Sequence, residues 1–238
     1  MGNITARWSI RIIGIIIAFL LIFVIFLTVI DWTAFDLNFY RREYKKLNIP
    51  ESTGMSQGDL LKVTQELLDY IRGKREDLVV VAPVHGQERQ VFNQREIDHM
   101  VDVKDLFSLG FRLRLISLGI FIVLTGLIIG IRRKRSIRDL AISYLMVLSI
   151  LIILGLALMG FILIDFTKVW DQFHYIFFTN DLWILDPRTD ILIQMVPEQF
   201  FFDMVVRILR TFGGILTALA IGAIYVLSQK RYAREPLR

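Results

Sequence analysis

Three histidines, His85, His99 and His174, are the side chains of this 238-residue chain whose ordinary pKa lies near neutrality. Two of them stand in settings that can tune an imidazole. His99 lies in the stretch NQREIDHMVDVKDLF. If that stretch is helical, Glu96 at i−3 and Asp102 at i+3 share its face. A carboxylate beside an imidazole fixes its tautomer and raises its basicity. His174 lies in QFHYIFF, among aromatic residues. Such surroundings desolvate an imidazole, lower its pKa and keep it neutral, ready to accept a proton. His85, in VHGQERQ, has neither kind of neighbour and reads as a surface-loop residue. Two neutral-range imidazoles are the equipment of general acid–base catalysis. Taken singly, each also has a plain reading. His99 reads as a solvated residue of an acidic helix, and His174 as an interface residue bonded to a carbonyl or a headgroup.

Other chemistries have less to stand on. The chain has no cysteine, which excludes thiolate catalysis, disulfides and Cys–zinc sites. It contains no Walker motif, no G-x-S-x-G elbow and no H-E-x-x-H. Glu96-x-x-His99 matches half of a carboxylate metal site, and three histidines could ligate zinc. A His-ligated, metal-dependent membrane hydrolase using His85, His99 and His174 therefore stays open as an alternative. A membrane assembly factor without catalysis is another.

The elements that must carry these residues are mostly apolar. Hydrophobic residues make up 55% of the chain and charged residues 21%; mean hydropathy is +0.54. Four apolar runs, at residues 12–30, 115–131, 141–164 and 211–228, are each long enough to cross a hydrocarbon core as a helix. The first is too long for a signal-peptide core and is followed by no small-residue cleavage site, so it reads as an uncleaved span. Arginine and lysine concentrate at the N-terminus, in RRKRSIRD and in the tail QKRYAREPLR. The positive-inside rule puts those flanks in the cytoplasm. The expected fold is all-α and integral to the membrane, with four transmembrane helices and a small, mostly helical extracytoplasmic cap. Its boundaries read as a cytoplasmic N-terminus at 1–11, spans at 12–30, 113–131, 140–164 and 208–228, and cap segments at 31–112 and 165–207. A cytoplasmic loop falls at 132–139 and a cytoplasmic tail at 229–238. All three histidines fall in the cap segments. The net charge of +5 is thereby explained by inside flanks facing an anionic leaflet, and nucleic acid is not a partner.

Within the first cap segment, SQGDLLKVTQELLDYIRG reads as an amphipathic helix with Leu60, Leu61, Leu67, Leu68 and Ile71 on its apolar side and Gly73 at its end. LVVVAPV reads as a strand or an extended piece on the membrane surface. Asn93 and Glu96 form a variant capping box, which starts a helix over 96–107. No ionisable residue lies deep in any span, unlike the midplane charges of many transporters. Gly214, Ala218 and Gly222 have the spacing of a helix-packing stripe. Arg112, Arg114, Arg207 and Arg210 lie near outer span ends, where snorkelling explains them, with pairing to cap carboxylates or binding of a polar substrate group as the functional alternative.

REIDHMVDVKDLF and FHYIFFTNDLWILDPRTDILIQMVPEQFF, set between four spans with both termini inside, resemble the bacterial lipoprotein intramolecular transacylases. The resemblance covers nearly the whole chain in layout. It implies a bacterial plasma-membrane enzyme with an extracytoplasmic cap, and two histidines that move an acyl chain within one lipoprotein to leave the lyso form. The matching motifs carry those roles to His99 and His174, with Glu96 beside the first. Its substrates would be diacylglyceryl-modified lipoproteins among membrane lipids, and no cofactor or metal is implied. Glu96 or Asp102 would orient His99. Tyr175 and Asn180 would contact the substrate or its oxyanion, and Phe177 and Trp183 would help exclude water.

Overall fold

The computed structural model describes residues 2–229, so the basic tail lies outside the described residues apart from Gln229. In chain order the elements are α1 (Gly2–Ala34), α2 (Leu37–Lys46), α3 (Ile49–Thr53), α4 (Gln57–Ile71), β1 (Val81–Val84), β2 (Gln87–Gln90), α5 (Gln94–Arg132), a 3₁₀ turn (Arg133–Arg135), α6 (Ser136–Ile164), α7 (Phe166–Phe177), α8 (Ile191–Met195) and α9 (Glu198–Ser228). In hydrocarbon a backbone must satisfy its own polar groups, and long apolar runs do so as helices. Four helices, α1, α5, α6 and α9, are long and apolar enough to cross a membrane.

The chain divides into two compact units. Among the described residues, one holds 2–29, 112–163 and 209–229, which include the apolar parts of the four long helices. Ala18, Ile22, Tyr144, Val147, Leu148 and Leu216 form its core. Tyr144 donates its hydroxyl to the Leu216 carbonyl at 2.7 Å, which ties α6 to α9. Gly14 lets α1 approach α6, since a Cβ there would stand 2.4 Å from Ser143 Oγ. The stripe at Gly214, Ala218 and Gly222 is exposed instead. A Cβ on either glycine would meet nothing within 4 Å, so the close approach within this chain is made by Gly14.

The other unit holds residues 30–111 and 164–208 and contains all three histidines. Tyr44, Leu60, Phe92, Met195 and Phe200 are its most deeply buried large residues. The α4 helix forms where its leucine spacing predicts, capped by Ser56, whose Oγ accepts the Asp59 N–H at 3.1 Å. Leu60, Val63, Leu67, Leu68 and Ile71 face inward, whereas Leu61 is only half buried. Gly73 supplies the left-handed residue just past the helix end, with φ of 72°.

LVVVAPV is more than a surface piece. Leu78, Val80, Ala82 and Val84 point into the core, while Val79 and Val81 point outward, the alternation of a half-buried strand. β1 pairs antiparallel with β2 through a two-residue turn of His85 and Gly86. Both turn residues have positive φ, 51° and 78°, as a twisted hairpin turn requires. The His85 backbone N–H donates to Gly54 O at 2.9 Å. Its ring lies over Gly54, where a Cβ would come within 2.2 Å of Nδ1. His85 is thus an exposed hairpin-turn residue whose ring rests against Gly54, in keeping with its surface-loop reading.

The helix expected at 96–107 does not stop before the second apolar run. It is the first part of α5, which continues to Arg132. No proline interrupts it, and extending a helix already nucleated costs little. Its start is fixed twice. Asn93 Oδ1 accepts the Glu96 N–H at 3.0 Å, and Glu96 Oε2 accepts the Asn93 N–H at 2.6 Å, the expected reciprocal cap. Glu96 Oε1 then accepts the Leu192 N–H at 2.6 Å, which fastens α5 to α8. Asn93 Nδ2 donates to Asp190 at 2.9 Å and reinforces the joint. Glu96 is 1% exposed, and burial pushes its pKa up against the pull of those two N–H donors. Glu96→Ala should therefore destabilise the protein by about 3 kcal/mol, because it strands buried donors. Glu96→Gln, which keeps an acceptor, should cost less. Thermal unfolding in detergent measures both.

Candidate active site

His99 sits one helical turn after Glu96 and is 8% exposed. Its ring meets Phe178 edge-to-face at 5.4 Å. Burial lowers its pKa to about 4, and the neighbouring His174 and Arg95 add to the effect against the opposing charge of Asp102. Its Nδ1 is buried without a hydrogen-bond partner. A buried polar atom left in that state is unusual and is a feature of strained or functional sites.

His174 comes from α7, an amphipathic helix whose N-cap, Asp165, accepts the Lys168 N–H at 3.1 Å. The ring is 5% exposed. Trp183 stacks on it at 4.5 Å, Trp170 stands edge-on at 4.7 Å, and Phe173 and Phe178 close the sides at 5.3 and 5.7 Å. Its Nδ1 lies 2.8 Å from the Trp170 carbonyl oxygen. A carbonyl only accepts, so Nδ1 carries the proton and, in the neutral ring, Nε2 keeps its lone pair. Burial lowers the pKa of His174, with the Trp170 bond and the charge of Asp171 acting the other way. The two imidazoles lie with ring centroids 6.2 Å apart and planes inclined by 37°.

The segment after α7 is stitched to α5 on both sides of His99. Arg95 donates to the carbonyls of Ile184, at 3.2 Å, and Asp181. Asp102 accepts the Asn180 side-chain N–H at 2.8 Å. These partners change two expected roles. Glu96 has both oxygens on backbone N–H groups and holds the helix that carries His99 rather than the imidazole itself. Asp102 acts on His99 through its charge while its hydrogen bond goes to Asn180. Asn180 also accepts the Leu182 N–H at 3.1 Å, so it frames the loop. Trp183 packs directly on His174, and its indole N–H is buried with no partner. Tyr175 and Phe177 are exposed; Tyr175 meets Trp183 at 5.2 Å and Phe177 meets Phe173 at 4.9 Å. Arg95, Trp170 and Phe178 were not singled out from sequence. Arg95 and Trp170 each precede a histidine by four residues, the spacing that puts neighbours on one helix face. Phe178 left no such signal, because it lies just beyond α7. Among the described residues no group of three His, Asp or Glu stands where it could hold a metal ion.

A family model described as lipoprotein intramolecular transacylase Lit matches residues 15–201. An uncharacterized protein of Aquifex aeolicus (strain VF5) is 29% identical over 187 residues, covering 77% of this chain and 81% of its own. The fold resembles that of the membrane integral lipoprotein intramolecular transacylase Lit from Bacillus cereus solved in meso. That match has a TM-score of 0.77 at 23% identity and covers 94% of this chain and 99% of the other. A histidine-to-alanine variant of the same protein matches with a TM-score of 0.75 at 22% identity, over 97% and 99% of the two chains. With the family model spanning most of its length, the chain belongs to the lipoprotein intramolecular transacylase family Lit, and is a multi-pass membrane acyltransferase.

Proposed function

We propose that this enzyme moves the sn-2 acyl chain of a diacylglyceryl-cysteine to the α-amino group of the same cysteine, leaving a lyso-form lipoprotein. His99 and His174 form the acid–base pair. The reaction takes place on the extracytoplasmic side of a bacterial plasma membrane, with both termini in the cytoplasm. The observation that carries the reading is the meeting of two buried imidazoles, from separate segments, in one aromatic enclosure.

The chemistry needs three things. The amine must lose a proton as it attacks the ester carbonyl. The leaving glyceryl oxygen must gain one. The two ends of the substrate must also be held together, because closure runs through a ring of about eight atoms that gains little order by itself. The Nε2 lone pair of His174, left free by the Trp170 carbonyl, suits the base. His99 resists protonation most strongly and stays a neutral N–H donor. It gives its proton to the leaving oxygen as its other ring nitrogen takes the one held by the His174 imidazolium, so no imidazolate forms and both rings end neutral. Trp183, Trp170, Phe173 and Phe178 enclose the His174 ring, Phe178 also meets His99, and together they keep water from taking the acyl group. Tyr175 and Phe177, exposed beside this enclosure, extend its apolar rim toward the substrate's chains.

His99→Ala and His174→Ala should each lower turnover by about 10²–10⁴-fold, the usual worth of one general acid or base. The double variant should fall little further, since the two act as a unit. Substrate and product are isomers of one mass, so tandem mass spectrometry of the N-terminal lipopeptide reads the outcome from its N-acylated fragment, and wild-type turnover in either single variant removes that residue from the mechanism.

The pH dependence separates tuned from ordinary imidazoles. The substrate amine titrates near 7.7–8.0, so log kcat/KM should fall with unit slope below about pH 7.7. Both histidines must be neutral, and both have lowered pKa values. Their protonation therefore adds slope only below about pH 6.5, the ordinary imidazole value. Steepening that already begins at about pH 6.5 contradicts the assignment.

A further inference from the structure

A cavity of about 600 Å³ opens beside the start of α5, walled by residues 89–94, Glu96 and Thr189. That volume is within the range of small-ligand sites. Its two large apolar wall residues, Val91 and Phe92, are each 1% exposed and packed in the core. What the cavity presents is backbone and polar side chains, an unsuitable surface for an acyl chain. Glu96 in its wall lies one helical turn before His99 on the same face of α5. Along α5 four of the five residues before His99 are polar, Gln94, Arg95, Glu96 and Asp98, and the long apolar run comes after it.

The cavity also borders an open strand edge. In an antiparallel pair, hydrogen-bonded and non-bonded residue pairs alternate. The Val91 N–H donates to Val80 O at 2.8 Å and marks a bonded pair. Val81 and Gln90, the next pair, are then of the non-bonded kind, so the Gln90 N–H and C=O point away from β1. Pro83, opposite Glu88, agrees with this register, since a proline fits where no ladder N–H is needed. β2 is exposed throughout, and the sheet among the described residues has two strands, which leaves this edge uncovered.

Resting on the transacylase reading above, we infer that the open edge at Gln90 and the adjoining cavity bind the polypeptide that follows the substrate's modified cysteine, as an added strand. The reaction itself uses only the glyceryl ester and the cysteine amine, so a grip on the peptide beyond them can be indifferent to side chains. Main-chain pairing to a strand edge is such a grip. One helical turn is about 5.4 Å and an extended chain rises about 3.3 Å per residue, so the peptide enters the cavity within about two residues of the cysteine.

The test compares dipalmitoylglyceryl-cysteine amide with a dipalmitoylglyceryl-cysteinyl pentapeptide as substrates. The enzymes are wild type, Gln90→Pro, which removes the outward N–H without a ladder bond, and Gln90→Val, which keeps it. Wild type should show a KM about tenfold lower for the pentapeptide, the worth of one or two backbone hydrogen bonds. Gln90→Val should keep that ratio and Gln90→Pro should bring it to about one. A Gln90→Pro enzyme with the wild-type ratio overturns the inference. So does a wild-type ratio near one, which decides the matter even if the proline variant does not fold. Failure of wild type to turn over either substrate overturns the transacylase reading along with it.

Discussion

The carboxylate of Glu96 is the constraint on which the site depends. It is 1% exposed and bonded to two backbone N–H groups, one at the start of its own helix and one at the start of α8. A carboxylate is costly to bury, and it persists only where such donors replace its water. Those bonds set the first turn of α5, and the first turn sets where His99 points. They also bring residues 186–192 against the same turn, with Asp190 accepting from Asn93 and from the Asp186 N–H. The loop that carries Trp183 is therefore held at one end by α7 and at the other by this joint.

Desolvation is the second determinant; it lowers the pKa of both histidines, and of His99 the more strongly. An imidazole packed among tryptophans and phenylalanines loses more as a cation than as a neutral ring. The aromatic enclosure thus keeps the pair uncharged while it excludes water. The charged residues around it serve as fasteners. Arg95 and Asp102 flank His99 along α5, and each holds part of the segment after α7. Elsewhere in the same unit, Arg207 pairs with Asp36 at 2.6 Å and Lys46 with Asp203 at 2.5 Å, joining α9 to the cap of α2 and to α2 itself.

Much of this is legible in the sequence. Helical periodicity found α4 and its glycine stop. The Asn93–Glu96 spacing found the helix start, because a capping box is local in sequence. The aromatic density around His174 announced its desolvation. Other features were hidden because they depend on partners remote in sequence. The spacing of Glu96 to His99 suggested a carboxylate facing an imidazole, but Leu192 claims that carboxylate. Asp102 likewise is taken by Asn180. The small-residue stripe in α9 has the right spacing for packing, yet helix spacing does not say which face meets a neighbour.

Sequence by itself determined the four apolar helices, the polar segments between them and the three histidines as candidates, since hydropathy, caps and periodicity are properties of neighbouring residues. It left His85, His99 and His174 open as one set of three. Tertiary structure decided that His99 and His174 meet at 6.2 Å while His85 packs over Gly54 in a hairpin turn. That choice follows from burial: two rings were taken into a shared aromatic interior, and the third was held by the left-handed turn that reverses β1 into β2.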